Sequence, residues 1–541
     1  MQVRIVSRRF IVVSILMLTI TAGSLAQDSN QDPAIADLQR QIQEMRSQMA
    51  KMQNRIAELE APNGTAETNS TTDPILRQSQ TPPAEALRSQ LGEVKTSKEA
   101  TPFNYKGITL SPGGFLESTI LVRTRNENAD MANSYTTIPL NGSSNAHLSE
   151  FRGTVRNSEL PLLIQGSTGG AKLKGYVEAD FLGAAPTANY LESSSWTPRL
   201  RQLWVQLDRP SGWTFTVGQM WSLLTTNRQG IANLAELRPI GEDGNYVVGF
   251  TWTREKAIRV TRNFNNKVWA GVAVEDPETT YSAAFVPANV MGLNTSPNAG
   301  TGVNLLPFLA NYSNGQATTL APNLLAKVAF EPGWGHFEIK ALGRIFRDRI
   351  ASTATTSGHT NITEGYGVGF GALMPFVKNK VELSLEGLLG QGIGRYGPSG
   401  LPDITLHPTT GAMLPLRQGW IMGGVVFHRS SHLDVYAYGG DEHTGRYAFV
   451  TPTGTAAGYG SPLVDYSSCT NEVALNACNG ANHNIYEATA GYWYRLYRGE
   501  YGRIEYGNQV VYMHRNLWSG MGTTPQGGDI VAYSTIRFYL P

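Results

Sequence analysis

The sequence is poor in charge, in cysteine and in long apolar runs. Only 16% of its 541 residues are charged and the formal net charge is +1, which leaves no basic surface for nucleic acid. Two cysteines exclude a disulfide-built scaffold and a cysteine-rich metal module. A mean hydropathy of −0.24 excludes a bundle of membrane-spanning helices. The chain instead has 57 glycines and 23 tyrosines, a composition that fits extended β-structure.

The first 26 residues have the three parts of an export signal. Three arginines precede an apolar stretch at 10–20, and Ser24-Leu25-Ala26 supplies a small-x-small cleavage site. The apolar stretch is too short for a membrane-spanning helix. We therefore expect residues 1–26 to be a signal peptide that is removed after Ala26.

Residues 33–60 carry an unbroken heptad pattern. Apolar residues alternate at spacings of three and four through Ile35, Leu38, Ile42, Met45, Met49, Met52, Ile56 and Leu59. This seam predicts a coiled coil and hence an oligomer, but its central methionines leave dimer and trimer open. Residues 61–102 are rich in Thr, Ser, Asn, Pro and Glu and are interpreted as a flexible tether. Residues 103–541 are interpreted as one domain.

Several segments of that domain alternate strictly between apolar and polar residues, among them 172–181, 380–387 and 433–438. Alternating segments of about 10 residues are typical of transmembrane β-barrels. Because a soluble β-sandwich also alternates, the pattern alone leaves both folds open.

The connections between these segments favour the barrel. Long connections are found at 126–147, 184–198, 225–245, 277–322, 350–363, 396–415, 442–483 and 516–526. Short ones alternate with them at 167–170, 210–212, 264–266, 332–334, 378–379, 430–431 and 498–500. With 247–262 interpreted as one strand, the strands number sixteen, and bacterial barrels show this even count and loop asymmetry. We predict an all-β fold: a 16-stranded antiparallel transmembrane barrel, preceded by a short α-helical coiled coil.

This order of parts resembles the DcaP-like porins of Gram-negative outer membranes. Three local stretches carry the resemblance: Arg199-Leu200-Arg201-Gln202-Leu203-Trp204, Gly218-Gln219-Met220-Trp221-Ser222 and Ala273-Val274-Glu275-Asp276-Pro277. The resemblance implies a homotrimer in outer-membrane lipid, joined through barrel walls and coiled coil, with the N-terminal helix in the periplasm. It also implies passive diffusion of small anions such as dicarboxylates. One departure is Pro541, because such barrels usually end in an aromatic residue.

The alternating pattern places both cationic and acidic side chains in the lumen. Ion selectivity therefore requires the cationic side chains to be spatially separated from the acidic ones. The third loop of porins commonly folds inward, and the loop 225–245 holds Arg228 and Arg238. We predict a constriction there, facing arginines of the wall. The predicted pore-lining residues are Arg152, Arg156, Lys172, Lys174, Arg199, Arg201, Arg228, Arg238, Arg259, Arg344 and Arg503. Whether Arg199 and Arg201 point into or out of the barrel stays open, because the alternation of apolar and polar residues is interrupted beside them. The alternative to an arginine constriction is a lumen of solvated charges with no preference for anions or cations.

Cys469 and Cys478 lie in the longest polar loop, and in an oxidising compartment we expect them to form a disulfide. His483 is the only imidazole near them, so neither a metal site nor a cofactor is predicted. The chain has no His-Glu-x-x-His and no Gly-x-Ser-x-Gly motif, and we therefore expect no enzyme. An outer-membrane barrel hydrolase and a secreted β-rich binding protein remain alternatives.

Overall fold

The computed structural model describes residues 103–541, with gaps at 128, 184–195, 288, 292, 295–312, 318, 356, 471 and 473–479. The predicted signal peptide, coiled coil and tether lie outside the described residues. Helical structure in the described part consists of short 3-10 turns at Tyr135–Thr137, Ser144–His147, Gly394–Tyr396 and Ser467–Thr470. None of these helices has the length and apolar character needed to cross a membrane.

The wall of the molecule is a closed antiparallel β-sheet of sixteen strands, as the sequence predicted. In chain order they are Phe115–Arg123 (β1), Glu150–Thr154 with Glu159–Thr168 (β2), Ala171–Gly183 (β3), Thr197–Asp208 (β4), Trp213–Trp221 (β5), Arg254–Phe264 (β6), Val268–Glu275 (β7), Asn323–Phe330 (β8), His336–Ile350 (β9), His359–Val377 (β10), Val381–Gln391 (β11), Arg417–His428 (β12), Leu433–Thr444 (β13), Asn482–Gly499 (β14), Gly502–Leu517 (β15) and Gln526–Tyr539 (β16). Each strand pairs with the next, and β16 pairs with β1 from Val531↔Arg123 to Tyr539↔Phe115. The sheet therefore closes on itself, which removes the open edges of an ordinary sheet.

Shorter strands accompany the barrel. Phe103–Tyr105 and Ile108–Pro112 form a hairpin, and its second strand pairs with the end of β2 at Thr109↔Gln165. The other short strands lie in the long loops, at Thr279–Ala283, Val290–Met291, Leu293–Asn294, Ser313–Ala317, Ile404–Leu406, Met413–Pro415, Tyr447–Val450 and Ala456–Tyr459.

The predicted alternation of apolar and polar residues matches the observed exposure of side chains along the wall strands. Along β3, Leu173 is 50% exposed, whereas Lys174, Glu178 and Asp180 are buried. Strand β7 has the same arrangement, since Val274 is exposed and the neighbouring Glu275 is buried. An apolar outer face over a polar inner face is the reverse of a soluble domain and is typical of a barrel that faces lipid.

Eight long connections leave one end of the barrel, and seven tight turns leave the other. In chain order the long loops are 124–149 (L1), 184–196 (L2), 222–253 (L3), 276–322 (L4), 351–358 (L5), 392–416 (L6), 445–481 (L7) and 518–525 (L8). The prediction of one strand over 247–262 is wrong, because β6 begins only at Arg254. Val247 and Phe250 are buried inside the barrel against Met422 and Trp493, so their segment belongs to L3.

Loops fill much of the lumen on the long-loop side. One buried apolar cluster joins Met131 and Tyr135 of L1, Val248 of L3 and Leu401 of L6 to the inner wall at Val511. A second cluster joins Leu223 of L3 and Ile393 of L6 to Leu325 on β8. The inner wall is therefore polar only in part, and many of its charges lie beneath loops instead of facing water.

Candidate functional site

Loop L3 is held inside the barrel by carboxylates of the wall. Its backbone N–H groups donate hydrogen bonds to glutamates on five strands, and the pairs are Leu223 to Glu275 (2.7 Å), Asn227 to Glu338 (3.0 Å), Val248 to Glu487 (2.9 Å), Gly249 to Glu442 (3.0 Å) and Thr251 to Glu386 (2.9 Å). A buried backbone N–H without an acceptor costs free energy comparable to a lost hydrogen bond. These five glutamates therefore fix the path of L3, and none of them lines the cavity below it.

Gly249 shows how closely L3 approaches the wall. Its φ of +87° lies in the left-handed region, and a Cβ added there would meet the carbonyl oxygen of Ile421 at 2.2 Å. Only glycine fits both conditions, and its N–H can thus reach Glu442.

Below L3, a cavity of about 590 Å³ extends to residues of the tight turns, including Asn379 and Ser431. Seven arginines line it: Arg201, Arg228, Arg238, Arg495, Arg498, Arg503 and Arg537. The carboxylates that line it are Glu159, Glu178, Glu236, Asp243, Glu382, Asp434 and Glu505. Arginines and carboxylates are equal in number, and His428 lies between Glu382 and Asp434, so any ion preference depends on which of these side chains reach the water.

Arg228 and Arg238 of L3 are tied to different parts of the wall. Arg228 lies 3.0 Å from Glu382 on β11, and Arg238 lies 3.7 Å from Glu159 on β2. Backbone hydrogen bonds from Arg228 to Ala235 and from Leu237 to Thr226 close the segment between the two arginines into a hairpin, so the two side chains leave neighbouring backbone and reach different parts of the wall. A solute that entered the cavity would therefore meet both guanidinium groups.

The slip in alternation beside Arg199 and Arg201 is a β-bulge. Strand β4 carries an extra residue opposite Glu178 and Ala179, so Arg201 and its neighbour Gln202 are both buried. Arg201 lies 2.8 Å from Glu159 and 2.6 Å from Glu178, and it lines the cavity. Arg199 contacts the fully buried Asp180 at 2.7 Å. Both side chains thus point inward.

Four of the predicted pore-lining residues, Arg201, Arg228, Arg238 and Arg503, line this cavity, and the other seven lie elsewhere. Two sit beneath loops: Arg259 donates to Asn233 of L3 at 2.9 Å, and Arg344 lies 2.8 Å from Asp403 of L6. The rest are placed as follows: Arg152 beside Glu150 (2.9 Å), Arg156 on the carbonyl oxygen of Phe181 (3.0 Å), Lys174 beside Asp208 (2.5 Å), Arg199 beside Asp180, and Lys172 exposed next to a tight turn.

Sequence reasoning missed Arg495 and Arg498 on β14. A second bulge, between Arg495 and Tyr497, shifts the register so that Arg495 faces Glu505 and Arg498 faces Arg503. Arg495 and Arg498 therefore line the same cavity, although a regular strand would turn residues three positions apart to opposite faces. No residue pattern in the sequence marks this bulge.

Cys469 is buried and disulfide-bonded. Its predicted partner, Cys478, lies outside the described residues, so the pairing itself stays a prediction. In the described part of the chain, no group of three His, Cys, Asp or Glu side chains is arranged to hold a metal ion.

Comparisons with known proteins support the fold. No protein-family model and no curated protein matches the chain. Among solved structures, the chain is similar to the outer membrane channel DcaP of Acinetobacter baumannii, with a TM-score of 0.56 and 15% identity over 81% of this chain and 99% of that chain. The barrel thus has the fold of outer-membrane channels, and the resemblance to DcaP-like porins inferred from the sequence is confirmed for the fold.

Two further structures superpose too loosely to carry an argument. The anion-selective porin from Comamonas acidovorans has a TM-score of 0.42 and 11% identity over 80% of this chain and 100% of that chain. OprB of Pseudomonas putida has a TM-score of 0.42 and 10% identity over 79% of this chain and 94% of that chain.

Proposed function

We propose that this protein is an outer-membrane porin that lets small hydrophilic anions, such as dicarboxylates, diffuse passively across the membrane. Insertion is supported by the outer face of the wall, where large apolar side chains such as Val205, Ile339 and Leu389 are more than half exposed. In water this surface would be a continuous apolar patch, whereas in lipid it is stable because the closed sheet satisfies its own backbone.

The preference for anions is supported by which partner of each ion pair reaches the cavity. The side chain of Arg238 is 22% exposed and that of its partner Glu159 is 11% exposed. The Arg537–Glu117 pair shows the same order, at 10% against 1%. Arg495 and Arg503 are likewise more exposed than Glu505. Arg228 and Glu382 are about equally exposed, and Arg201 lies deeper than Glu159. Most of these ion pairs, though not all, thus present the guanidinium group nearer the water. A planar guanidinium presents paired donors that match a carboxylate.

The remaining parts of the chain complete the proposal. We propose that residues 1–26 direct export and that residues 33–60 form a coiled coil in the periplasm, joined to the barrel by the tether 61–102. In this arrangement, the tight turns and the cavity face the periplasm and the long loops face outward.

Uptake into proteoliposomes tests the function. Radiolabelled succinate and the neutral polyol erythritol are offered at equal concentration to vesicles with native protein and to vesicles with heat-denatured protein. We expect succinate to enter severalfold faster than erythritol through the native protein only. Equal rates, or a faster polyol, would contradict anion preference, and entry of neither solute would contradict the porin.

A further inference from the structure

His428, the last residue of β12, lies between two carboxylates in the lining of the cavity. Its Nδ1 lies 2.8 Å from Asp434 on β13, and its Nε2 lies 3.8 Å from Glu382 on β11. The side chain is 33% exposed, so water in the cavity reaches the imidazole. Both ring nitrogens face a carboxylate, and only the protonated imidazole carries an N–H on each of them.

Each of these carboxylates also pairs with an arginine of the cavity. Glu382 lies 3.0 Å from Arg228 of L3, and Asp434 contacts Arg495 on β14. Beyond Arg495, Glu505 contacts an arginine on either side, at 3.1 Å and 3.0 Å. The contacts join into one ionic row along the cavity lining, whose members in order are Arg228, Glu382, His428, Asp434, Arg495, Glu505 and Arg503.

The protonation of His428 sets the net charge of this ionic row. The other six members are three arginines and three carboxylates, so their charges cancel. The row is therefore neutral when the imidazole is neutral, and it carries one positive charge when the imidazole binds a proton. Histidine is the side chain that changes its charge most readily near neutral pH, whereas arginine stays charged.

Two further cations flank His428 at the tight turns. The backbone N–H of His428 donates to the carbonyl oxygen of Lys380 at 2.8 Å, and the side chains of Lys380 and of the adjacent Arg429 are exposed. Neither side chain lines the cavity. In the described part of the chain, the carboxylates within ion-pair distance of the imidazole are thus Glu382 and Asp434.

Resting on the proposed porin function, we propose that His428 is a specificity-determining residue whose bound proton strengthens the preference of the cavity for anions. With the proton, the imidazolium shares the charge of Glu382 with Arg228, and the guanidinium group keeps donors and charge for a permeating carboxylate. Without the proton, Glu382 and Asp434 are balanced by the arginines alone, and the row as a whole carries no charge that attracts an anion. A unit charge at about 4 Å in water changes the ratio of anion to cation permeability about fivefold.

The reversal potential of the full-length protein in a planar bilayer, under a KCl gradient, measures this ratio while the pH is raised from about 6 to about 10. We expect the wild-type ratio to fall about fivefold over this range. His428→Gln binds no proton and should show the lower ratio at every pH, whereas His428→Arg keeps its charge and should show the higher one. The matched control is His432→Gln, which changes an exposed histidine of the same tight turn outside the cavity lining and should retain the wild-type fall.

Heat-modifiable migration on gels confirms that each variant is folded. A wild-type ratio that does not change with pH would overturn the proposal without any variant at position 428, and a His428→Gln ratio that still falls fivefold would overturn it as well. The conductance steps recorded in the same experiments separate the two proposals. Steps without pH dependence overturn the role of His428 alone, whereas the absence of steps in the wild type overturns the porin function and this role with it.

Discussion

Neutralising the two arginines of L3 should reverse the ion preference of the channel. Arg228 and Arg238 have the most exposed arginine side chains among the ion pairs that line the cavity, at 27% and 22%. In the double variant Arg228→Gln/Arg238→Gln, a permeating anion loses both contacts. Glu382 meanwhile loses the guanidinium group that pairs with it, whereas Glu159 loses Arg238 and keeps Arg201 at 2.8 Å.

The size of the effect follows from the charges involved. A unit charge in contact at about 4 Å contributes about 1 kcal/mol even at the dielectric constant of water. Losing two such contacts costs an anion about 2 kcal/mol, which is about 30-fold in the ratio of anion to cation permeability. Salt screening makes the effect largest at low ionic strength.

The reversal potential across a planar bilayer under a KCl gradient measures this ratio. We expect a potential on the anion side for the wild type and one on the cation side for the double variant. Arg209→Gln/Arg429→Gln removes two exposed arginines at tight turns, outside the cavity lining, and should leave the potential unchanged. An unchanged potential in the L3 double variant would refute the assignment of the constriction.

Three further predictions concern the loops. Glu386→Ala removes the acceptor of the Thr251 N–H, which costs about 1–3 kcal/mol of L3 anchoring, and single-channel records should become noisier; equally quiet records would contradict the anchoring. Burial raises the pKa of Glu127 in L1 to about 8, so the folded state retains a proton that the unfolded chain releases above the ordinary carboxyl pKa. Stability should therefore fall as the pH rises toward 8, and melting curves of Glu127→Gln should lack this fall; identical slopes would count against it. Cys469→Ser should make L7 more sensitive to protease by removing about 2–3 kcal/mol of loop order, and a free thiol in the unreduced wild type would disprove the bond with Cys478.

The barrel could be predicted because each strand in lipid must place apolar side chains on its outer face and can place polar ones on its inner face. Leu173 faces outward and Glu178 inward because a strand turns alternate residues to opposite faces, and alternating loop lengths then reveal the number of strands. The extent of L3 could not be predicted in this way. Val247 and Phe250 are as apolar as strand residues, and their burial against loops inside the barrel has the same pattern as burial in a sheet.

The cavity was predictable only in part because bulges decide which charges reach it. Arg201 faces the cavity through the bulge on β4, and Arg495 and Arg498 share it through the bulge on β14. Whether a charged side chain of the inner wall is exposed to water also depends on the loop that covers it. Arg259 alternates correctly toward the lumen but lies under Asn233 of L3, a contact between residues 26 positions apart that no local pattern records.

The single-channel current of the purified wild-type protein in a planar bilayer tests the porin proposal most directly. We expect stepwise increases in conductance, with a reversal potential displaced toward the equilibrium potential of chloride. A protein that is folded, as shown by heat-modifiable migration, and yet produces no steps, or that stays soluble without detergent, would contradict the proposal.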